Sequence, residues 1–391
     1  MAKILFVSGW YPTPDKPAFG IFVRRHAEAA SLTNRVSVLY VRMISSSEKK
    51  LITTESAERN NLFEVIISIN KNKLLFPPFS FILKLFFYCW GLIKGYKIIA
   101  SQRGKPDLVH ANILYEGGRQ ALLLKLFYRI SYLCTEQWTG YLPQDGTYRG
   151  IFKKLISKLA ASQAKFILPI TNLLARAMQL KRLKGNYRII PNVVNTNIFR
   201  PSSATSIKEK QFIHISSLDE RQKNFAGILD GFKMFCGMRT DFRLLVAGGG
   251  ENIPSVKQMA EQRGIPSDKI YFAGHLNEDE LVEALHKSMA LILFSNYETQ
   301  GCVVLESLAC GTPVIASNLE VIREMVREDC GMLVEPGDAK MLSEAMNNLV
   351  EHYEKYSPEK LHGYMKENYS YEKINEMLNE IYKEATEKKK N

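Results

Sequence analysis

Glu298 and Glu306 stand eight residues apart with Gly301 between them, in the stretch FSNYETQGCVVLESLACGTPV at 294–314. An apolar run ending at Phe294 reads as a strand. A helix is expected from Cys302, stopped by Gly311 with Pro313 beyond it. In an open parallel sheet, ligands sit beyond the carboxyl ends of the strands, where this loop would lie. Gly301 lets the backbone come close to a ligand, and the N–H groups after it can hold a diphosphate. Carboxylates accept hydrogen bonds from sugar hydroxyls, and two of them can grip the two rings of a nucleotide-sugar. Solvated glutamates on a helix face are commoner than such a pair. The strand-loop-helix setting with its Gly-Thr-Pro stop singles this one out.

Three further segments end strand-like runs in the same half. They are SSLDERQKN at 216–224 with Lys223, GGG at 248–250 with Gly249, and GHL at 274–276 with Leu276. In the first half, GWYPTP at 9–14 and the run from Gly20 follow the first strand. VHAN at 109–112 and TEQWTG at 135–140, with Gln137, follow two more. The loop after the first strand is no G-x-G-x-x-G fingerprint, which counts against a nicotinamide enzyme. His110 and His275 read as structural.

The elements that must position these residues alternate between strands and helices, the pattern of α/β folds with parallel sheets. Strands are expected at 4–8, 36–40, 108–111 and 166–170, then at 212–216, 242–247, 270–273, 290–294 and 313–316. With 391 residues, two domains are the natural division. RIIPNVVN at 188–195 and FRPSS at 199–203 read as the crossing between them. The boundaries are accordingly 1–198 and 199–369, with a helix over 370–391 able to pack back on the first domain; its apolar residues at 374, 377, 378, 381 and 382 have helical spacing.

The stretch at 294–314 resembles the E-x7-E hallmark of the retaining GT-B glycosyltransferases of family 4 (group 1), typified by bacterial polysaccharide and lipopolysaccharide enzymes. GTPVIAS at 311–317, Glu324 and GMLVEPGD at 331–338 fit the same family. The resemblance covers nearly the whole chain and is most specific over 210–340. It implies an α/β GT-B fold of two Rossmann-like domains facing across a cleft. It implies transfer, with retention, of a sugar from a nucleotide-diphosphate donor to a glycan or lipid-linked glycan, with no cofactor and no required metal. By the same resemblance Glu306 would bind the ribose hydroxyls and Glu298 the donor sugar. The N–H groups of Gly301, Cys302 and Val303 would meet phosphate and sugar, Gly249 would line the donor pocket, and the backbone near Leu276 would recognise the base. Lys223 would neutralise the leaving diphosphate. Ser217 stands where the family has an arginine, which removes one positive charge from the phosphates and shifts that duty toward Arg221 or the first domain. Gly20 would approach the diphosphate. Gln137 stands where relatives carry a histidine, so it would bond a sugar hydroxyl rather than transfer a proton. The alternative is a sugar-nucleotide epimerase or phosphorylase of the same fold, since fold does not fix function. The glutamate spacing and Lys223 favour transfer.

Charge adds a partner. Of the net +12, residues 1–195 carry +19 (29 Lys and Arg against 10 Asp and Glu) and residues 196–391 carry −7 (23 against 30). The basic half is expected to face something anionic. Its segment at 74–99, LLFPPFSFILKLFFYCWGLIKGYKII, is broken by Pro77, Pro78, Lys84, Gly91 and Lys94, too often for a membrane span. An interfacial segment fits better, aided by the basic amphipathic stretch IFKKLISKL at 151–159. A peripheral enzyme at the inner face of the cytoplasmic membrane is the expectation. The opening run at 4–7 is too short for a signal peptide and no cleavage site follows, which fits a cytoplasmic chain. Six scattered cysteines give neither a disulfide framework nor a zinc cluster. No nucleic-acid motif appears, and the glutamates would oppose phosphates of DNA or RNA.

Overall fold

The computed structural model describes residues 1–59, 61–75, 79–202 and 208–387. Pro77, Pro78 and Ser203 therefore lie outside the described residues. The chain divides into two compact units, one of residues 1–193 and 371–391, the other of residues 194–370.

The first unit holds β1 (Lys3–Ser8), α1 (Ile21–Ser31), β2 (Arg35–Ile44), β3 (Ile52–Arg59), β4 (Leu62–Asn70), α2 (Ser80–Arg103), β5 (Leu108–Asn112), α3 (Gly118–Tyr128), β6 (Tyr132–Glu136), α4 (Ile151–Gln163), β7 (Ile167–Pro169) and α5 (Asn172–Leu180). Its seven strands are ordered β3-β4-β2-β1-β5-β6-β7. All pairings are parallel except β3 with β4. The antiparallel β3 is mostly exposed, an edge strand whose polar ITTESAER gives no apolar alternation to read. Strand β4 is buried, but Glu64 interrupts its apolar run. That carboxylate accepts the Tyr11 hydroxyl and lies 3.9 Å from both Arg24 and Arg59, which is how the charge is tolerated inside.

The segment at 74–99 is mostly the crossover helix α2, which carries the chain from β4 to β5 and packs on β2 and β4. Its second half settles on the sheet because Gly91 and Gly95 have no side chains: a Cβ at Gly95 would come within 2.3 Å of Leu39 Cδ1. Its first half keeps Phe81, Ile82, Leu85 and Phe86 exposed. Among the described residues, no helix is long and apolar enough to cross a membrane.

The second unit holds β8 (Gln211–Ser216), α6 (Glu220–Lys223), α7 (Phe225–Met238), β9 (Arg243–Gly248), α8 (Ile253–Gln262), β10 (Ile270–Gly274), α9 (Glu278–Lys287), β11 (Ala290–Leu293), α10 (Cys302–Ala309), β12 (Val314–Ser317), α11 (Glu320–Arg323), β13 (Gly331–Val334), α12 (Ala339–Glu351) and α13 (Pro358–Tyr369). The six strands are ordered β10-β9-β8-β11-β12-β13 and all run parallel. Phe212, Phe225, Phe232, Phe235 and Leu342 are part of its core, where α12 packs against α7.

The last helix, α14 (Tyr371–Thr386), belongs to the first unit and lies along α1. Ile374, Leu378, Ile381 and Tyr382 bury their side chains in that unit's core. The Tyr382 hydroxyl and His110 Nδ1 are 2.7 Å apart, and His110 Nε2 is 2.6 Å from the Thr135 hydroxyl, so His110 is a core residue.

Candidate donor site

In both sheets the chain order reverses beside the first strand, between β1 and β5 and between β8 and β11. Such switch points open a crevice beyond the strand ends, because the two connections leave in opposite directions.

At the second switch point, Lys223 follows β8 and Glu298 follows β11. Lys223 Nζ donates to Glu298 Oε1 at 2.5 Å, with both side chains largely buried. The Ser295 hydroxyl donates to the same oxygen at 2.9 Å, and Gln222 Nε2 reaches Oε2 at 3.4 Å. Local folding explains why the two residues meet. Asp219 caps the single turn of α6 by accepting from the Gln222 N–H, and Asn224 beyond it takes a left-handed conformation (φ 49°). The Asn296 N–H donates to the Gln222 carbonyl at 2.8 Å, and its side-chain amide to the Arg221 carbonyl at 3.0 Å. The lysine turn is thus stitched to the glutamate loop.

Sequence reasoning passed over His214, which ties the same two strands together. Its Nδ1–H donates to the Ile292 carbonyl of β11 at 2.9 Å, which leaves Nε2 to accept from the Ser216 hydroxyl at 2.8 Å. That hydroxyl in turn accepts the Leu218 N–H at 2.9 Å and shapes the turn toward Lys223. Burial pushes the His214 pKa down to about 4, so the ring is neutral in this role. A histidine inside an apolar strand was the only signal of it.

Gly301 opens α10 in a left-handed conformation (φ 91°, ψ 71°) and has no side chain with which to cap the helix. A Cβ there would sit 3.2 Å from Leu293 Cδ2 and 3.3 Å from Ile322 Cδ1. The amides of Cys302 and Val303 belong to the first turn, whose N–H groups have no acceptor within the helix. Glu306 is buried one turn further in, on the same short helix.

The loops after neighbouring strands carry the remaining candidates. Ser217, after β8, is exposed, and its carbonyl accepts from the Asn252 side chain at 2.9 Å. Gly249, after β9, is in a left-handed conformation (φ 84°), and a Cβ on it would meet Leu218 Cδ1 at 2.3 Å. Leu276 follows the edge strand β10, half-buried beside Asn277, which caps α9. All of these stand at the carboxyl edge of one sheet, on four adjacent strands.

Gly20 and Gln137 belong to the other unit. Gly20 precedes α1 in a left-handed conformation, and a Cβ would fall 2.6 Å from the Trp10 carbonyl carbon, so close packing already requires it. Gln137 Nε2 donates to His26 Nδ1 at 3.2 Å, while His26 Nε2–H donates to the Pro191 carbonyl at 2.9 Å. That orientation leaves Gln137 Oε1 buried with no partner among the described residues. Beneath it, Glu136 accepts the N–H groups of Leu114, Gln137 and Trp138 at 2.8–2.9 Å; burial nevertheless raises its pKa to about 7.

Comparison with known proteins agrees with this geometry. Residues 195–370 match the family described as glycosyl transferases group 1. A D-inositol 3-phosphate glycosyltransferase of Acidothermus cellulolyticus is 30% identical over 206 residues, 46% of this chain and 45% of that one. A phosphatidyl-myo-inositol mannosyltransferase of Mycobacterium leprae is 29% identical over 210 residues, 52% of each. The chain spans about half the length of these relatives. Sucrose-phosphate synthase from Thermosynechococcus elongatus shares the fold at TM-score 0.74 and 18% identity, covering 98% of this chain and 99% of that one. Anabaena HepE, solved in complex with UDP and glucose, does so at TM-score 0.73 and 15% identity, over 98% and 100%. The chain has the GT-B fold, and its residues 195–370, which carry Lys223, Glu298, Gly301 and Glu306, match the glycosyl transferases group 1 family.

Proposed function

We propose that the protein is a retaining glycosyltransferase that moves a sugar from a nucleotide-diphosphate donor onto a glycan or lipid-linked glycan, without a metal. The observation that carries this reading is the Lys223–Glu298 pair at the sheet's switch point, one loop from the start of α10, where Gly301 brings no capping side chain. The α10 amides and Lys223 supply positive potential for a diphosphate, whose charge grows as the glycosidic bond breaks. Glu298, held by Lys223 and Ser295, accepts hydroxyls of the donor sugar, and Glu306 accepts those of the ribose. Lys223 is engaged by Glu298, so the diphosphate competes for the ammonium and shares it with the carboxylate. That a structural neighbour was solved with UDP and glucose supports the donor class.

The test is a thermal-shift panel of nucleoside diphosphates on wild type and Glu306→Ala. A ligand at ~100 times its dissociation constant stabilises by ~2.7 kcal/mol. One diphosphate should raise the melting temperature of wild type and lose the effect in the variant. No shift with any nucleoside diphosphate would remove the reading.

The acceptor is taken to be met at the inner face of a membrane. Support comes from apolar side chains exposed on α2 and α4, where Phe81 is 74% and Phe152 81% accessible. Single exposed apolar residues are ordinary, but a group of them beside lysines is the signature of a surface that meets another phase.

A further inference from the structure

The first sheet also has a switch point, between β1 and β5, and a cavity of about 610 Å³ lies there. It is built from the loop after β1, the end of β2, Lys71 after β4, and the turn at 113–117 that leads from β5 into α3. Gly9, Trp10 and Thr13 of the GWYPTP loop and Tyr88 of α2 line it, while Gly20 and Gln137 do not.

Its lining carries four cations, Lys16, Arg42, Lys71 and Arg119, against two acids, Asp15 and Glu116. The two acids differ. Asp15 is paired with Arg42 Nη1 at 2.7 Å, and that hydrogen bond holds its pKa below the usual range. Arg42 is fixed further by donating to the Ser68 and Thr13 hydroxyls at 2.8 and 3.0 Å. Glu116 is different: its carboxylate rests over Gly9, where a Cβ would come within 1.7 Å of Oε2, and no hydrogen bond reaches it among the described residues. Burial pushes its pKa up, opposed by Arg119 and Lys153.

Arg119, at the second position of α3, lies 4.7 Å from the Tyr88 ring centre and 5.8 Å from that of Tyr115, and its Nε is buried without a hydrogen-bond partner among the described residues. The two rings and a hydrogen bond to Tyr88 hold the guanidinium in place, and its other N–H groups suit an oxyanion. Trp10 and Phe19, whose ring centres are 5.9 Å apart, supply an apolar wall. A surplus of cations, two of them held in place, an unbonded carboxylate and an aromatic wall in one cavity specify three features of one ligand.

We propose that this cavity binds a phosphate-bearing, hydroxylated ligand, with the phosphate on Arg119 and Lys71, a hydroxyl on Glu116, and the carbon skeleton against Trp10 and Phe19. Under the transfer reading, on which this assignment of a role rests, the ligand is the acceptor, a sugar or polyol phosphate. The same phosphate chemistry is presented by a soluble phosphosugar or by a lipid headgroup.

Titration calorimetry of the full chain at low salt uses glucose 1-phosphate and inorganic phosphate as soluble probes, and cosedimentation uses phosphatidylinositol vesicles. UDP and GDP serve as donor-site controls. Lys71→Gln and Arg119→Gln should each weaken at least one phosphate probe tenfold or more and leave the nucleoside diphosphate unchanged. Loss in solution identifies a phosphosugar, and loss on vesicles alone identifies a headgroup. Glu116→Gln, which keeps the side chain's size, should weaken glucose 1-phosphate or the vesicles while inorganic phosphate binds as before, a split that a merely structural role would not produce. Lys71 lies in a surface turn, so its variant stays informative if Arg119→Gln misfolds. No phosphate probe bound by wild type, or binding unaffected by both cation substitutions, overturns the proposal. Nucleoside diphosphate binding then still reports separately on the transfer reading.

Discussion

At the residue scale, the Lys223–Glu298 pair is the strongest constraint on the proposed donor site. Both partners are largely desolvated, so removing one strands the other. Lys223→Met or Glu298→Gln alone should each cost about 3 kcal/mol, whereas the two together should cost much less than the sum. Urea denaturation of the two singles and the double closes the cycle; additive effects would show that the pair is not coupled. Protonation gives a second prediction. Burial lowers the pKa of His26 and His214 from 6.5 to about 4, so below pH 6.5 the unfolded chain takes up protons that the folded one refuses. Their contribution is full above 6.5 and is lost as pH falls toward 4. Glu136 works in the other direction, because its pKa is raised from 4.5 to about 7 and its contribution fades as pH rises across that span. His26 and His214 against one glutamate leave a net loss between pH 6.5 and 4.5 of about 3 kcal/mol, at about 1.4 kcal/mol per unit, and His110, whose pKa burial pushes well below 6.5, adds to that loss. Stability should therefore peak near pH 6.5, and urea midpoints that stay level from pH 6.5 to 4.5 would contradict this.

At the element scale, α10 can begin where it does only because Gly301 accepts a positive φ. Gly301→Ala should cost about 1–2 kcal/mol from backbone strain, with further loss as the methyl meets Leu293 and Ile322. It should also weaken nucleoside diphosphate binding, since it displaces the amides that follow. A variant that melts and binds like wild type would relieve Gly301 of both roles. Helix α2 shows how one element serves two surroundings. Its glycine-bearing half is packed onto β2 and β4, and Lys94 reaches back to the Thr54 hydroxyl at 3.1 Å, which gives that lysine a structural bond. The exposed aromatics are therefore the better probe of membrane contact. Wild type should sediment with anionic vesicles at low salt and less at high salt. Phe81→Ser with Phe86→Ser and Phe152→Ser should sediment less while melting normally, because these side chains are exposed. Equal sedimentation of variant and wild type would leave the patch without that role.

At the scale of the whole molecule, the second unit is one continuous segment, while the first needs the chain's last helix. A fragment of residues 194–370 should fold and melt cooperatively alone. Residues 1–193 should not, because they lack α14, whose Ile374, Leu378 and Ile381 complete the core beside α1. At about 1.5–3 kcal/mol for each such buried side chain, their loss approaches the whole stability of a domain. Adding a peptide of residues 371–391 should restore the fold; circular dichroism and melting of the fragments decide it. A well-folded 1–193 fragment would show α14 to be dispensable.

The sequence by itself determined the α/β class, the place of most strands along the chain and the glutamate loop. These are local: apolar runs, Gly-Thr-Pro stops and a fixed spacing of eight residues are written in consecutive positions. It did not reveal β3, whose edge position requires no apolar pattern, or β4, where Glu64 breaks the run and is neutralised by residues far away in sequence. It singled out Lys223 and Glu298, 75 residues apart, but only the tertiary structure decided that they form an ion pair. Strand order brings β8 next to β11, and no local pattern encodes strand order. For the same reason the cavity at the other switch point was marked in the sequence by little more than the GWYPTP loop. Arg42 stands at the end of β2, Lys71 after β4, and Glu116 and Arg119 where β5 leads into α3, so a seven-stranded sheet has to form before their charges share one space.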